Sequence, residues 1–187
     1  MRPTTRAAED FDRRAFTVSE VLRMQEAGIL SDKERYELID GEIVLMQAKG
    51  PLHETLKSAL SILIARALPA DLWMGFEATI YLDANTFVEP DIVVFPRAVG
   101  MDNLKGSDIV LAIEVAASSL AYDRGFKAAL YAKHKLQEYW VVDVFARATH
   151  QFMDPQRKSW RRRREVGPDE VLTHPALPGF SIRLSDY

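Results

Sequence analysis

The chain of 187 residues contains no cysteine, which excludes disulfides, thiolate metal sites and a cysteine nucleophile and agrees with a reducing compartment. A cytoplasmic protein is the expectation. Long apolar runs are also missing: none approaches the ~20 residues a membrane helix needs, and the charged stretch from Met1 to Arg14 lacks a signal-peptide core. No membrane partner is expected. The four histidines, His53, His134, His150 and His174, show no zinc-site spacing. Ser118-Ser119 lacks the glycines of a nucleophile elbow, and no glycine-rich phosphate loop occurs, which argues against nucleotide hydrolysis. With a formal net charge of -3, the surface as a whole does not attract nucleic acid, so any such binding must be local.

What is present is an ordinary globular balance, 48% apolar and 27% charged residues, enough to build a core. The length suits one domain. The expectation is a flexible leader over 1–14 and a single domain over 15–187. Thr17 and Glu20 form a capping-box pattern opening a short amphipathic helix that ends near Gly28. Asp40-Gly41 between two apolar runs predicts a hairpin over Tyr36 to Met46. Apolar residues at helical spacing predict a helix from about Leu52 to Leu68. Strands follow at Trp73 to Tyr81, Asp91 to Phe95 and Ile109 to Val115, the last apolar enough to be a central strand covered on both faces.

The helical pattern returns over Tyr122 to Lys135, with Phe126, Leu130 and Tyr131 facing inward. A strand at Tyr139 to Val142 comes next. Strand, helix and strand in this order are the mark of a crossover unit and a partly parallel sheet, hence an α/β class. Thr149 to Met153 and Ser159 to Val166 read as a C-terminal hairpin. The basic run Arg161 to Arg164 in it suits a charge-protected strand edge better than a phosphate-contact patch.

Asp91 begins one apolar strand and Glu114 stands near the end of the most apolar one. A carboxylate in such a place is costly to desolvate unless a cation, a donor or water compensates it. If the strands are neighbours, ~4.8 Å apart, both acids can reach one divalent ion. Hydration at a strand end explains either acid alone; two of them, followed by a lysine on the next helix, favour function. Lys127 lies four residues after Asp123, however, and unaided that spacing favours a surface ion pair. His53, near the start of its helix, either contacts a phosphate or caps the helix, and the structural role weighs more.

Glu89-Pro90-Asp91, Ile113-Glu114-Val115, Asp123-Arg124 with Lys127, and Glu138-Tyr139-Trp140 together resemble the restriction-endonuclease-like superfamily, PD-(D/E)XK. More narrowly the chain is similar to the Uma-two family of that superfamily. The similarity runs from Tyr36-Glu37-Leu38 and Asp40-Gly41-Glu42 through His53 to Val142-Asp143, and weakly to Leu177-Pro178-Gly179-Phe180. The resemblance implies a central mixed β-sheet flanked by helices, with an N-terminal hairpin and the C-terminal hairpin as an extension. It makes Asp91 and Glu114 the metal-binding carboxylates. The superfamily's lysine usually follows the second acid by two residues, where this chain has Ala116, so the resemblance implies that Lys127 supplies the cation from the adjacent helix. Ala117-Ser118-Ser119 stands where the family often has Ser-Pro-Ser.

Glu37 matches an acidic family position and is either an accessory metal or water ligand or an outward residue of the hairpin. His53 and Asp123 are further accessory candidates. The implied activity is metal-dependent hydrolysis of phosphodiester bonds in nucleic acid, DNA first, with Mg²⁺ as cofactor and Mn²⁺ as substitute. One alternative is a nucleic-acid-binding or assembly module that keeps the fold without cleaving. Another is a homodimeric interaction protein packing through the Trp140 to Phe145 strand and the C-terminal hairpin; dimerisation as such does not compete with nuclease activity, since cutting two strands often suits a two-fold assembly.

Overall fold

The computed structural model describes residues 14–31 and 33–187; the leader expected over 1–14 lies outside them except for Arg14. The described chain divides into two compact units, one made of the residues up to Ala48 with Tyr81–Val88, the other of Lys49–Ile80 and Glu89–Tyr187.

In the first unit, Thr17 caps α1 (Val18–Glu26) with both halves of the capping box in place, and the helix stops before Gly28 at a φ of 70°. β1 (Tyr36–Ile39) and β2 (Glu42–Leu45) form the expected antiparallel hairpin. Asp40 and Gly41 both take positive φ, as the tight two-residue turn requires. The sheet continues through β5 (Thr86–Val88) to β4 (Ile80–Asp83), and its small core joins Val21, Tyr36, Leu38 and Phe87.

The second unit holds a six-stranded sheet. Its strands are β3 (Leu72–Phe76), β6 (Ile92–Pro96), β7 (Leu111–Ala116), β8 (Glu138–Asp143), β9 (Ala148–Gln156) and β10 (Ser159–Val166), in the order β10-β9-β8-β7-β6-β3. β7 and β8 run parallel and the other pairs antiparallel, so the mixed sheet expected from the crossover is present. The apolar run of β7 makes it interior and buried at every position. Alternation sorts the residues: Ile92, Val94, Leu111, Ile113, Val115, Trp140 and Val142 join Leu56, Leu60 and Ile64 of α2 (Pro51–Ala67) in the main core. The C-terminal segment adds Leu172, Leu177, Phe180 and Leu184 to that core.

Three expectations need correction. The run from Trp73 to Tyr81 is two strands in different sheets, because Glu77 takes a φ of 50° and turns the chain between β3 and β4. The helix after β7 is not uniform: α3 (Leu120–Tyr122) passes through a π turn, Asp123–Lys127, into α4 (Ala128–Lys133). The Ala128 N–H reaches back to the Asp123 carbonyl, five residues away, and the residue this inserts rotates the helical faces. Lys127 and Asp123 are therefore buried while Phe126 is 46% exposed, against the inward position that a regular helix gives it; Leu130 and Tyr131 do face inward. Finally, β8 is paired on both edges and Trp140 to Val144 are buried within the chain, so that strand offers no dimer surface; within the expected Trp140 to Phe145 segment Phe145 alone is exposed. Among the described residues no helix is long and apolar enough to cross a membrane.

Candidate active site

The β6–β7 register ends at the Ile92–Ile113 pair, with Asp91 just before β6 and Glu114 next after Ile113 on β7. Both acids are buried, at 3% and 6% exposure, and each is compensated by its own set of donors.

Asp91 Oδ2 accepts from the Val115 backbone N–H at 2.8 Å and meets His53 Nε2 at 3.0 Å, while Oδ1 accepts from the Lys49 ammonium. Burial alone pushes this carboxyl up, but the hydrogen bonds from His53, Lys49 and Val115 outweigh it and hold Asp91 well below the usual carboxylate range. Asp91 is thus an anion anchored to the residue next to Glu114. His53 reaches it from the first turn of α2, which Pro51 opens at a position where its missing N–H costs nothing; the other ring nitrogen faces Glu54 Oε1 at 3.2 Å. Lys49 also donates to Glu77, whose Oε1 accepts from Lys57 at 2.6 Å. Lys57 follows His53 by four residues, so one face of α2 carries both.

Glu114 Oε1 accepts from Lys127 Nζ at 2.8 Å and from the Tyr131 hydroxyl at 3.2 Å. Lys127 is 4% exposed, so the surface-pair reading of its spacing from Asp123 does not hold: the π turn carries both residues inside. The Asp123 carbonyl accepts from the Tyr139 hydroxyl at 3.3 Å, and the Tyr131 and Tyr139 rings meet edge to face at 4.7 Å, which fixes this turn over β7 and β8. Ala116, where the superfamily's lysine usually stands, is fully buried in β7. Glu37 lies in β1 of the first unit and is 3% exposed, contrary to an outward position in the hairpin.

The structure therefore brings Lys127 onto Glu114 and His53 onto Asp91, and ties Asp91 to the backbone next to Glu114 through the Val115 N–H. Lys49, Lys57, Glu77 and Tyr131 escape sequence reasoning. Only the His53–Lys57 spacing offered a signal, and it is shared by many exposed helices. Among the described residues no group of three or more Asp, Glu, His or Cys side chains could by itself hold a metal ion. A pair of carboxylates is nonetheless what Mg²⁺ commonly uses, since it keeps several waters and takes one or two carboxylates with substrate phosphate oxygens. The hard oxygen donors of Asp91 and Glu114 fit that ion.

A family described as "Putative restriction endonuclease", Uma2, matches residues 18–185. No curated protein matches the chain. Among solved structures, the crystal structure of a "putative nuclease" from Anabaena variabilis is similar over 91% of this chain and 96% of its own, at 18% identity and a TM-score of 0.73. That likeness establishes a shared fold. The match over nearly the whole described chain identifies it as a member of the Uma2 family.

Proposed function

We propose that this protein is a metal-dependent endonuclease that hydrolyses phosphodiester bonds of nucleic acid, DNA first. The observation that carries the proposal is the pair of buried carboxylates, Asp91 held by the backbone N–H of the residue after Glu114, with a buried lysine bonded to Glu114. Family membership supports the same class of activity.

Asp91 and Glu114 would hold Mg²⁺, or Mn²⁺ in its place. When bound, the ion lowers the pKa of a water and offsets charge on the phosphate. Lys127 brings a cation to the Glu114 side, where it can orient an attacking water or stabilise negative charge developing on the phosphoryl oxygens. Tyr131 holds the Glu114 carboxylate in one orientation through its hydroxyl. His53 and the Val115 N–H do the same for Asp91 and keep it ionised. Lys49 bridges Asp91 to Glu77, so a divalent ion at Asp91 competes with an ammonium already there.

That competition favours one second reading, a nucleic-acid-binding module whose acids are permanently neutralised by lysines. The two are separated by incubating purified protein with plasmid and single-stranded DNA, with Mg²⁺, with Mn²⁺ and with EDTA, beside Asp91→Asn. Metal-dependent cleavage that Asp91→Asn loses supports the endonuclease. Binding with no cleavage under any metal condition supports the module.

A further inference from the structure

The β7–β8–β9–β10 register continues the row of Glu114 across the sheet, through Val141 and His150 to Glu165. Two strand spacings of ~4.8 Å put the His150 backbone roughly 10 Å from that of Glu114. There a cavity of about 460 Å³ opens between the π turn and the outer hairpin, lined by Arg124, Gly125, His150, Phe152, Arg163 and Arg164. Three elements deliver its cations and an aromatic ring. Arg124 comes from the turn that also carries Lys127; Arg163 extends over the Phe152 ring of β9 at 5.7 Å, and Arg164 follows it on β10. The Arg124 charge is felt inside the cavity, since burial first and Arg124 second hold the His150 imidazole below its ordinary value.

The basic run is thus only partly a solvated edge: Arg162 pairs with Asp154, whereas Arg163 and Arg164 line a concavity. Its one acidic wall residue, Glu165, contacts His150 Nδ1 at 3.2 Å, and Arg164 also reaches Glu170 at 3.3 Å. Guanidinium groups are suited to phosphate because each offers several donors in a fixed fork. A distance of ~10 Å matches about three nucleotides at 3.4 Å of rise per strand.

We infer that this cavity is a binding subsite for a backbone phosphodiester of nucleic acid, lying beside the row of Glu114 and holding the strand a few nucleotides from the bond to be cut. Strand and bond are taken from the endonuclease reading, on which the subsite rests, and binding can be read without cleavage.

The test is fluorescence anisotropy of short fluorescein-labelled single-stranded and duplex oligonucleotides in EDTA. It compares wild type with the Arg124→Gln/Arg163→Gln double variant and with Glu165→Gln, all exposed positions, with circular dichroism to confirm folding. The subsite predicts that the double variant binds about tenfold more weakly and that its salt slope falls by roughly one or two, one for each phosphate no longer neutralised. Glu165→Gln should bind more tightly. Equal affinity and slope in wild type and double variant overturn the subsite and leave the endonuclease reading standing. No oligonucleotide binding by wild type overturns it, as does arginine-dependent binding of inorganic phosphate, read by thermal shift, without arginine-dependent oligonucleotide binding. Arginine-dependent binding in a protein that never cleaves with Mg²⁺ or Mn²⁺ keeps the subsite and removes the endonuclease reading.

Discussion

Lys127→Met keeps an unbranched apolar side chain of similar length and removes its charge. Because Lys127 and Glu114 are 4% and 6% exposed, the substitution leaves a buried carboxylate without its ammonium. Removing one partner of a buried ion pair costs about 3–5 kcal/mol. Two effects reduce that here: the Tyr131 hydroxyl still donates to Glu114, and the stranded acid can take up a proton instead of staying charged. The expected loss is about 2–4 kcal/mol, against at most about 1 kcal/mol for a surface pair with Asp123. With a typical stability of about 5–15 kcal/mol, the variant still folds. Urea unfolding of wild type, Lys127→Met, Glu114→Gln and the double variant reads the effect. The double variant should be less destabilised than the sum of the two, with a coupling of about 1–3 kcal/mol. A loss under about 1 kcal/mol with no coupling would refute the buried pairing.

Other expectations concern the metal, acid pH and the hairpin. Mg²⁺ or Mn²⁺ should raise the melting temperature of wild type, because a ligand specific to the native state stabilises by mass action; Glu114→Gln should lose that response, and an equal shift in both would place the ion elsewhere. Asp91 has a depressed folded-state pKa, so its ionised form stabilises the fold above the unfolded value of about 3.9 and this contribution fades as pH falls below it. In EDTA, the stability gap between wild type and Asp91→Asn should be flat from neutral pH to about 4 and shrink below, as followed by urea midpoints; a gap that widens on acidification contradicts the sign. Gly41 has a φ of 84°, and a Cβ there would lie 2.5 Å from the Ala15 Cβ and 2.7 Å from its Cα. Gly41→Ala should therefore cost more than about 1 kcal/mol in thermal or urea unfolding; an unchanged midpoint would contradict the close approach.

Local signals in the sequence carried far. Thr17 with Glu20, Asp40-Gly41 and the unbroken apolar run of β7 each encode their element in adjacent residues, and each forms as expected. Asp91 and Glu114 stood out for the same reason, as charges inside apolar strands. The missed features depend on distance in the chain or on one inserted residue. The break at Glu77 is a single backbone conformation inside an otherwise continuous β-rich run. A π turn leaves no trace in a regular helical period, so that period gives Phe126 the inner face that Lys127 and Asp123 occupy. Lys49 reaches Asp91 from 42 residues away and Tyr131 reaches Glu114 from 17, separations that local reading does not connect.

The central claim, that Asp91, Glu114 and Lys127 together drive phosphodiester hydrolysis, is tested most directly by the single-turnover cleavage rate of Lys127→Met. It is measured on labelled DNA at saturating Mg²⁺, at a temperature where the variant is folded, beside wild type. Removing a charge placed where the transition state develops its own should slow cleavage by roughly two orders of magnitude or more, while the metal-induced melting shift survives because lysine is not a ligand. A folded, metal-binding Lys127→Met that cleaves at the wild-type rate would contradict the account.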